Sequence, residues 1–456
     1  LVGIAHANIY TNSNKTNKLT DTNKSNFFHM SVPLDRLYNF IDSLCDHDVL
    51  IYRFWPHGSK KLEHLLPLKT ITLSSEHWFN NMTTPAMICH DQEPLNYNLY
   101  NKSDFQPIWD LKPIPSVTKQ LWENMHLRSL LSVPFNIYDL TMLCHSEKNS
   151  QELSVYESHG FVGVYWWSHG IIAQDWFRYA EHDTTLLSCN IKTDFLIYNR
   201  AWTGTREYRL KFTEQVIEQG LVPYCNMSFS KTDGSELYSD HEYQNQKFKT
   251  DRKDFEFHFL PNTSSSNDSA DYNSLDYQTS AIEVVLETLF DDTRWHLTEK
   301  TLRPIACGRP FMLAATPGSL QYLRSYGIKT FDGLIDETYD TIQDPVLRIL
   351  AITNEMKRIA NLEPGEKKLL WDRLYKISKE NQLLFFSDQW HNKIVHELKE
   401  NLNTALSIMN ANKTGNYWQQ LIALNPDPVR SSYRSDAGKD QLIKYLQQNK
   451  HSGSKV

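Results

Sequence analysis

A carboxylate and an ammonium group stand side by side at Glu299 and Lys300, just after Thr298, where the pattern opens into a helix. Free backbone N–H groups and the dipole at a helix start both favour anions, so a lysine there suits a phosphate-bearing ligand. The neighbouring carboxylate can grip the hydroxyls of a ribose. An apolar strand ending at Glu287 precedes the triplet, and a short apolar strand over 311–314 follows it. The competing reading is a plain helix cap, with Thr298 as N-cap and acidic residues in the first turn.

Further charged groups sit at the ends of other apolar runs. Arg200 follows Tyr198 and Asn199, and Arg206 opens a helical pattern. Arginine grips phosphate oxygens in pairs and keeps its charge. The run His90-Asp91-Gln92-Glu93-Pro94 comes directly after the apolar run 86–89. Ligands of open α/β sheets bind beyond the carboxyl ends of the strands. His90 then faces an acceptor, and Asp91, or after it Glu93, takes a proton from the acceptor hydroxyl. The alternative is a charged turn in which Asp91 or Glu93 caps the next helix. The run Cys144 to Ser150 either positions an acceptor or caps a helix. Trp167, His169, Asp175 and Trp176 lie in one aromatic-rich cluster whose ring faces suit a sugar or a nucleobase. An interdomain core with an Asp175–Arg178 ion pair and a buried His169 accounts for the same residues equally well.

Elements must hold these groups in place, and 456 residues with 40% hydrophobic content are enough for two domains with real cores. The net charge of −7 sets up no global field toward nucleic acid. The six cysteines are widely spaced without a CxxC pair, which points to reduced thiols and not to a zinc site. No His/Cys/Asp cluster has metal-ligand spacing, so no metal is expected. The opening LVGIAHANIY is too short and polar for a secretory signal, and no run approaches a membrane span. A cytoplasmic setting, in a bacterium or an infected host cell, is the expectation.

Continuous apolar runs at 49–52, 86–89, 140–144 and 162–166 suit buried parallel strands, with helical patterns between them at 34–45 and 117–131. A second such unit begins near 192, with a strand over 195–198 and a helix over 206–219 closed by Gly220. The stretch 262–274 reads as a polar loop. Trp390, Ile394, Leu398, Leu402 and Leu406 recur every four residues as the apolar stripe of a helix. The alternation of strand and helix predicts an α/β class with parallel sheets.

The order strand, acidic residue, Thr298-Glu299-Lys300, helix, Gly308-Arg309-Pro310, strand resembles the donor site of GT-B glycosyltransferases, closest to the motif of the α1,3-fucosyltransferase family. The resemblance spans about residues 192 to 340. The runs HDQEPL, HSEKNS and YWWSHGIIAQDWFRYAEHD look like those of large-phage glycosyltransferase-like proteins. The resemblance implies a GT-B-like fold, two Rossmann-like domains facing across a cleft. It implies an acceptor-side domain over 1–190, a nucleotide-sugar domain over 191–385, and C-terminal helices over 386–456 packing back on the junction, with a polar tail. It implies metal-independent, inverting transfer from a UDP- or GDP-linked sugar with no other cofactor. Arg206, with Arg200 beside it, would face the diphosphate. Glu287 would lie near the sugar, Glu299 on the ribose, and Lys300 on the phosphate charge. A hydroxymethylated base in double-stranded phage DNA is one acceptor this would suit, and a surface glycan or lipopolysaccharide is the other. A fold does not fix a function, so a non-catalytic binding or assembly protein of this fold is the reading from another class.

Overall fold

The computed structural model describes residues 50–53, 86–90, 94–95, 141–158, 162–255 and 271–414. They form a mixed α/β fold with two parallel four-stranded sheets and a largely helical C-terminal region. The expected helices at 34–45 and 117–131, most of the 262–274 loop and the polar tail lie outside the described residues. The chain divides into two compact units. The first takes its described residues from Pro33–Ile171, Asp292–Thr298 and Ser387–Val456, the second from Ile172–Asp291 and Glu299–Phe386. Where the sequence reading cuts the chain at 190 and 385, the units exchange chain at 171/172, 291/292, 298/299 and 386/387.

The first unit carries β1 (Leu50–Arg53), β2 (Ala86–His90), β3 (Thr141–His145) and β4 (Val162–Tyr165), side by side in that order and all parallel. Met142, Leu143 and Cys144 are buried, as expected of a parallel strand covered on both faces. Asn149 turns the chain out of β3 in the left-handed region at φ 57°, which Asn tolerates better than most residues. Helix α1 (Gln151–Ser158) follows, and the Ser150 hydroxyl accepts from the Leu153 N–H at 3.1 Å as its cap. Helix α2 (Ser168–Trp176) begins in this unit.

The second unit runs through β5 (Thr193–Asn199), α3 (Tyr208–Glu218), β6 (Cys225–Phe229) and a short ribbon, β7 (Thr232–Asp233) with β8 (Glu236–Leu237). Then come α4 (Ser274–Thr279), β9 (Ser280–Leu286), α5 (Glu299–Ala306), β10 (Phe311–Ala314), α6 (Ser319–Ser325), α7 (Pro345–Ala360) and α8 (Pro364–Phe385). Its sheet has the order β10-β9-β5-β6, all parallel. The chain steps outward from β5 to β6, then returns past β5 to lay down β9 and β10 on the other side. The direction of winding therefore reverses between β5 and β9, and a crevice at the carboxyl ends of those two strands is where such sheets take ligands. All seven residues of β9 are buried. Its one acid, Glu283, is offset by Arg303 of α5 at 2.5 Å and by the Tyr277 hydroxyl at 2.5 Å. Burial works against the Arg303 charge, yet Glu283 and the two neighbouring tyrosines hold the guanidinium pKa well above its usual range.

Helix α9 (Asp388–Thr414) returns the chain to the first unit, and its stripe of Trp390, Ile394, Leu398, Leu402 and Leu406 is buried. Asn401 donates to the Tyr165 carbonyl at 2.7 Å and fastens the helix to the end of β4. Trp390 donates its indole N–H to the Gly170 carbonyl at 2.9 Å. A Cβ on Gly170 would overlap Ile394 Cδ1 and meet the Trp390 ring at 3.4 Å, so glycine is what lets the two segments approach this closely. Gly170→Val is expected to lower stability by about 1–3 kcal/mol, the usual penalty of overpacking, read as a shift of the urea midpoint.

Candidate functional site

The carboxyl edge of the second sheet is assembled by two consecutive residues at the start of α3. The Tyr208 hydroxyl donates to the Glu287 carbonyl at 2.6 Å and also lies 3.3 Å from the Ala314 carbonyl, so one proton sits between the ends of β9 and β10. Arg209 donates to the carbonyls of Ala201 and Leu286, each at 2.6 Å, and of Glu287 at 3.1 Å. It thereby spans the reversal point between β5 and β9. Burial lowers the Arg209 pKa and pushes the Tyr208 hydroxyl up to about 12, so Tyr208 stays a donor at physiological pH. Phe290 stacks on Tyr208 with ring centroids 4.1 Å apart, and the Arg348 guanidinium of α7 lies 4.2 Å from the centroid of the Phe290 ring. The loop leaving β9 is thus clamped by aromatic and cationic partners.

The loop leaving β5 is held as firmly. Asp233 accepts from the backbone N–H groups of Trp202 and Thr203 at 2.8 Å each and from the Thr203 hydroxyl at 2.7 Å. Burial works to raise the Asp233 pKa, but these bonds and the nearby Arg206 charge outweigh it and leave the carboxyl below its ordinary value. Glu207 is 1% exposed and accepts from the backbone N–H groups of Gln244 and Asn245 at 2.7 Å. It also meets His241 Nε2 at 2.9 Å, while His241 Nδ1 meets Glu236 at 2.6 Å. Arg206 sits between these anchored segments, in a tight turn over Gly204–Arg206. Its guanidinium is half-buried and makes no hydrogen bond or ion pair among the described residues. Three buried atoms on the same edge also lack a partner there: Asn199 Oδ1, Arg209 Nε and Thr316 Oγ1.

The sequence candidates fall into three groups. Arg206, Glu287, Glu299 and Lys300 all belong to the second unit, on the loops and helix starts that follow β5 and β9. The Glu287 carboxylate is fully buried and accepts from the Thr301 hydroxyl at 2.6 Å, the Thr301 N–H at 3.3 Å and the Thr288 N–H at 3.0 Å. It seats the first turn of α5 against the end of β9, which is a positioning task. Lys300 meets Glu299 at 2.7 Å and is one-fifth exposed, while Glu299 is buried. Arg200 is exposed.

The second group is used in packing. Trp167 is fully buried, donates its N–H to the Leu297 carbonyl at 2.8 Å, and meets Trp390 edge-on at 5.4 Å. His169 is 2% exposed and lies edge-on to His296 at 5.4 Å. Both rings are buried against neighbouring aromatic groups. Trp176 is also buried, at the end of α2. The third group falls at or beyond the edge of the described residues. His90 ends β2 and Asp175 lies in α2, both with side chains outside the described residues, and Asp91 and Glu93 lie outside them altogether.

Sequence reasoning does not single out Tyr208, Arg209, Glu207 and Asp233 as functional residues. The one signal it offers is an arginine and a glutamate at the first turn of a helix that follows a strand, and it is a weak one. Among the described residues no group of three or more His, Cys, Asp or Glu is placed to hold a metal, and no helix is long and apolar enough to cross a membrane. Cys189, Cys225 and Cys307 are free thiols. No family model matches the chain, and neither a curated protein nor a solved structure matches it at a significant level.

Asp340 closes the β10 side of the same edge. Its carboxylate accepts from the Leu320 N–H at 3.1 Å and its carbonyl from the Gly318 N–H at 2.8 Å. Burial raises the Asp340 carboxyl from 3.8 to about 6, so the folded state holds the proton where the unfolded chain has released it. That group's contribution is complete below the unfolded pKa and is lost as the pH climbs through roughly 4 to 6. Asp340→Asn removes this loss. Urea titrations at about pH 4.5 and about pH 7 should show the variant gaining on the parent by about 2 kcal/mol toward neutrality.

Proposed function

We propose that the second unit binds the diphosphate of a nucleotide sugar at the carboxyl edge of β5, β9 and β10, and that the chain is a GT-B-like, nucleotide-sugar-dependent glycosyltransferase. One observation carries the reading: Arg206, a half-buried cation without a hydrogen bond among the described residues, stands at the winding reversal between β5 and β9. The buried atoms of Asn199, Arg209 and Thr316 on that edge that lack a partner among the described residues support it, because buried polar groups are almost always hydrogen-bonded. In this reading Arg206 and Lys300 hold the phosphate oxygens and stabilise the nucleoside diphosphate as it leaves. Glu299 keeps Lys300 oriented and meets the ribose. Glu287 fixes the helix that carries both. Transfer would proceed in a single inverting displacement.

Calorimetric titration of the full chain with UDP- and GDP-sugars tests this. One donor should bind, with affinity reduced about tenfold or more in Arg206→Ala and in Lys300→Ala, as expected for the loss of a charge-assisted hydrogen bond. Arg206→Ala should keep most of the parent's stability, since that side chain makes no hydrogen bond or ion pair among the described residues and only its through-space attraction to Asp233 is lost. The proposal fails if no donor binds or if both variants bind like the parent. Incubating the bound donor with hydroxymethylated duplex DNA and with oligosaccharides then assigns the acceptor.

A further inference from the structure

His241 stands beside the turn that carries Arg206. Its side chain is 4% exposed, and both ring nitrogens face carboxylates, Nε2 meeting Glu207 at 2.9 Å and Nδ1 meeting Glu236 at 2.6 Å. Glu207 heads α3 directly after Arg206, and Glu236 lies in β8 with a half-exposed side chain. No lysine or arginine pairs with either carboxylate among the described residues. The Trp202 ring meets the imidazole edge-on at 5.2 Å, and the Tyr243 ring does so at 4.8 Å. Burial pushes the Tyr243 hydroxyl up to about 12, so the charged groups placed against the imidazole are the two carboxylates. Trp202 precedes the Gly204–Arg206 turn and Glu207 follows it, so one ring packs against both flanks of that turn.

A neutral imidazole has one N–H to give, and a charged one has two. Two carboxylates at hydrogen-bonding distance are both served only while the ring carries both protons. When it gives one up, a lone pair is left against a carboxylate oxygen and that contact becomes repulsive. Glu207 is 1% exposed, so solvent does not make up the loss.

We propose that the Glu207–His241–Glu236 bridge is a proton-dependent brace that positions Arg206, so that this edge of the second sheet grips an anionic ligand more tightly in mild acid than in mild base. The brace stands on its own geometry, and its effect on affinity rests on the donor site proposed above. His241 and Glu236 act through Arg206 and are positioning residues. Their contribution is complete while both nitrogens are protonated and is lost as the pH rises through the titration of the ring.

The full chain, His241→Gln and Glu236→Gln are unfolded in urea at about pH 6 and about pH 8, within and above the range in which histidine usually changes charge. The parent's midpoint should fall relative to that of His241→Gln as the pH rises, and the titration of Asp340, common to all three chains, cancels in the comparison. The amide of Glu236→Gln accepts from a charged ring and donates to a neutral one, so its midpoint should vary less with pH than the parent's. Should His241→Gln not fold, Glu236→Gln against the parent decides. Calorimetric titration with UDP-glucose and GDP-mannose reads the effect on affinity. Whichever binds should bind the parent about threefold to tenfold more weakly at the higher pH, and Glu236→Gln about equally at both. If neither binds, as failure of the donor reading would have it, the urea series judges the brace alone. The proposal is overturned if the parent and His241→Gln respond to pH alike, or if Glu236→Gln keeps the parent's full pH dependence.

Discussion

Arg209 is the constraint on which the second sheet depends. Arg209 is 2% exposed, and its two terminal nitrogens donate to three backbone carbonyls at the ends of two separate strands, while its Nε lacks a partner among the described residues. A buried cation is tolerated only when its donors find acceptors, and the strand ends need donors that no neighbouring strand supplies. Each requirement answers the other. The β5 and β9 ends are thereby locked at the point where the winding of the sheet turns round. Tyr208 extends the lock to β10 through its hydroxyl, and its ring carries Phe290 and, through it, Arg348.

With the edge so fixed, Arg206 can be positioned without being held. Asp233 and Glu207 bind backbone N–H groups on either side of it, leaving its guanidinium without a hydrogen bond or ion pair among the described residues, within the electrostatic reach of Asp233. Such an arrangement lowers the ordering penalty of binding, because the loops are already in place. Glu287 does the same for α5 by gripping Thr301. The charged side chains on this edge therefore divide by task. The fully buried ones shape the backbone, and Arg206 and Lys300 stay partly exposed.

The strands were legible because parallel strands covered on both faces are continuous apolar runs, and those at 86–90, 141–145 and 162–165 lie within a residue of expectation. The α9 stripe was legible because its five apolar residues at intervals of four line one helix face over a span longer than an ordinary strand. Side-chain roles were harder. A carboxylate before a helix reads the same whether it meets a ligand or caps the turn, so the burial of Glu287 could not be seen from its neighbours in sequence. Trp167 and His169 have residue types that suit a stacking platform and a core alike, and only packing against Trp390 and His296 separates the two. Arg209 was invisible because two of its three acceptors lie 77 and 78 positions away. The cover that α9 gives β4 depends on that helix arriving from far along the chain.

That late arrival shapes how the protein is born. Strand β4 is finished at Tyr165, yet the helix that covers it starts only at Asp388. At the usual pace of translation, roughly 5–20 residues per second, its covering face waits on the order of ten seconds or more on the ribosome. Throughout that interval the nascent chain presents an uncovered apolar surface, a natural substrate for chaperones, while the intervening unit has time to complete its own sheet first.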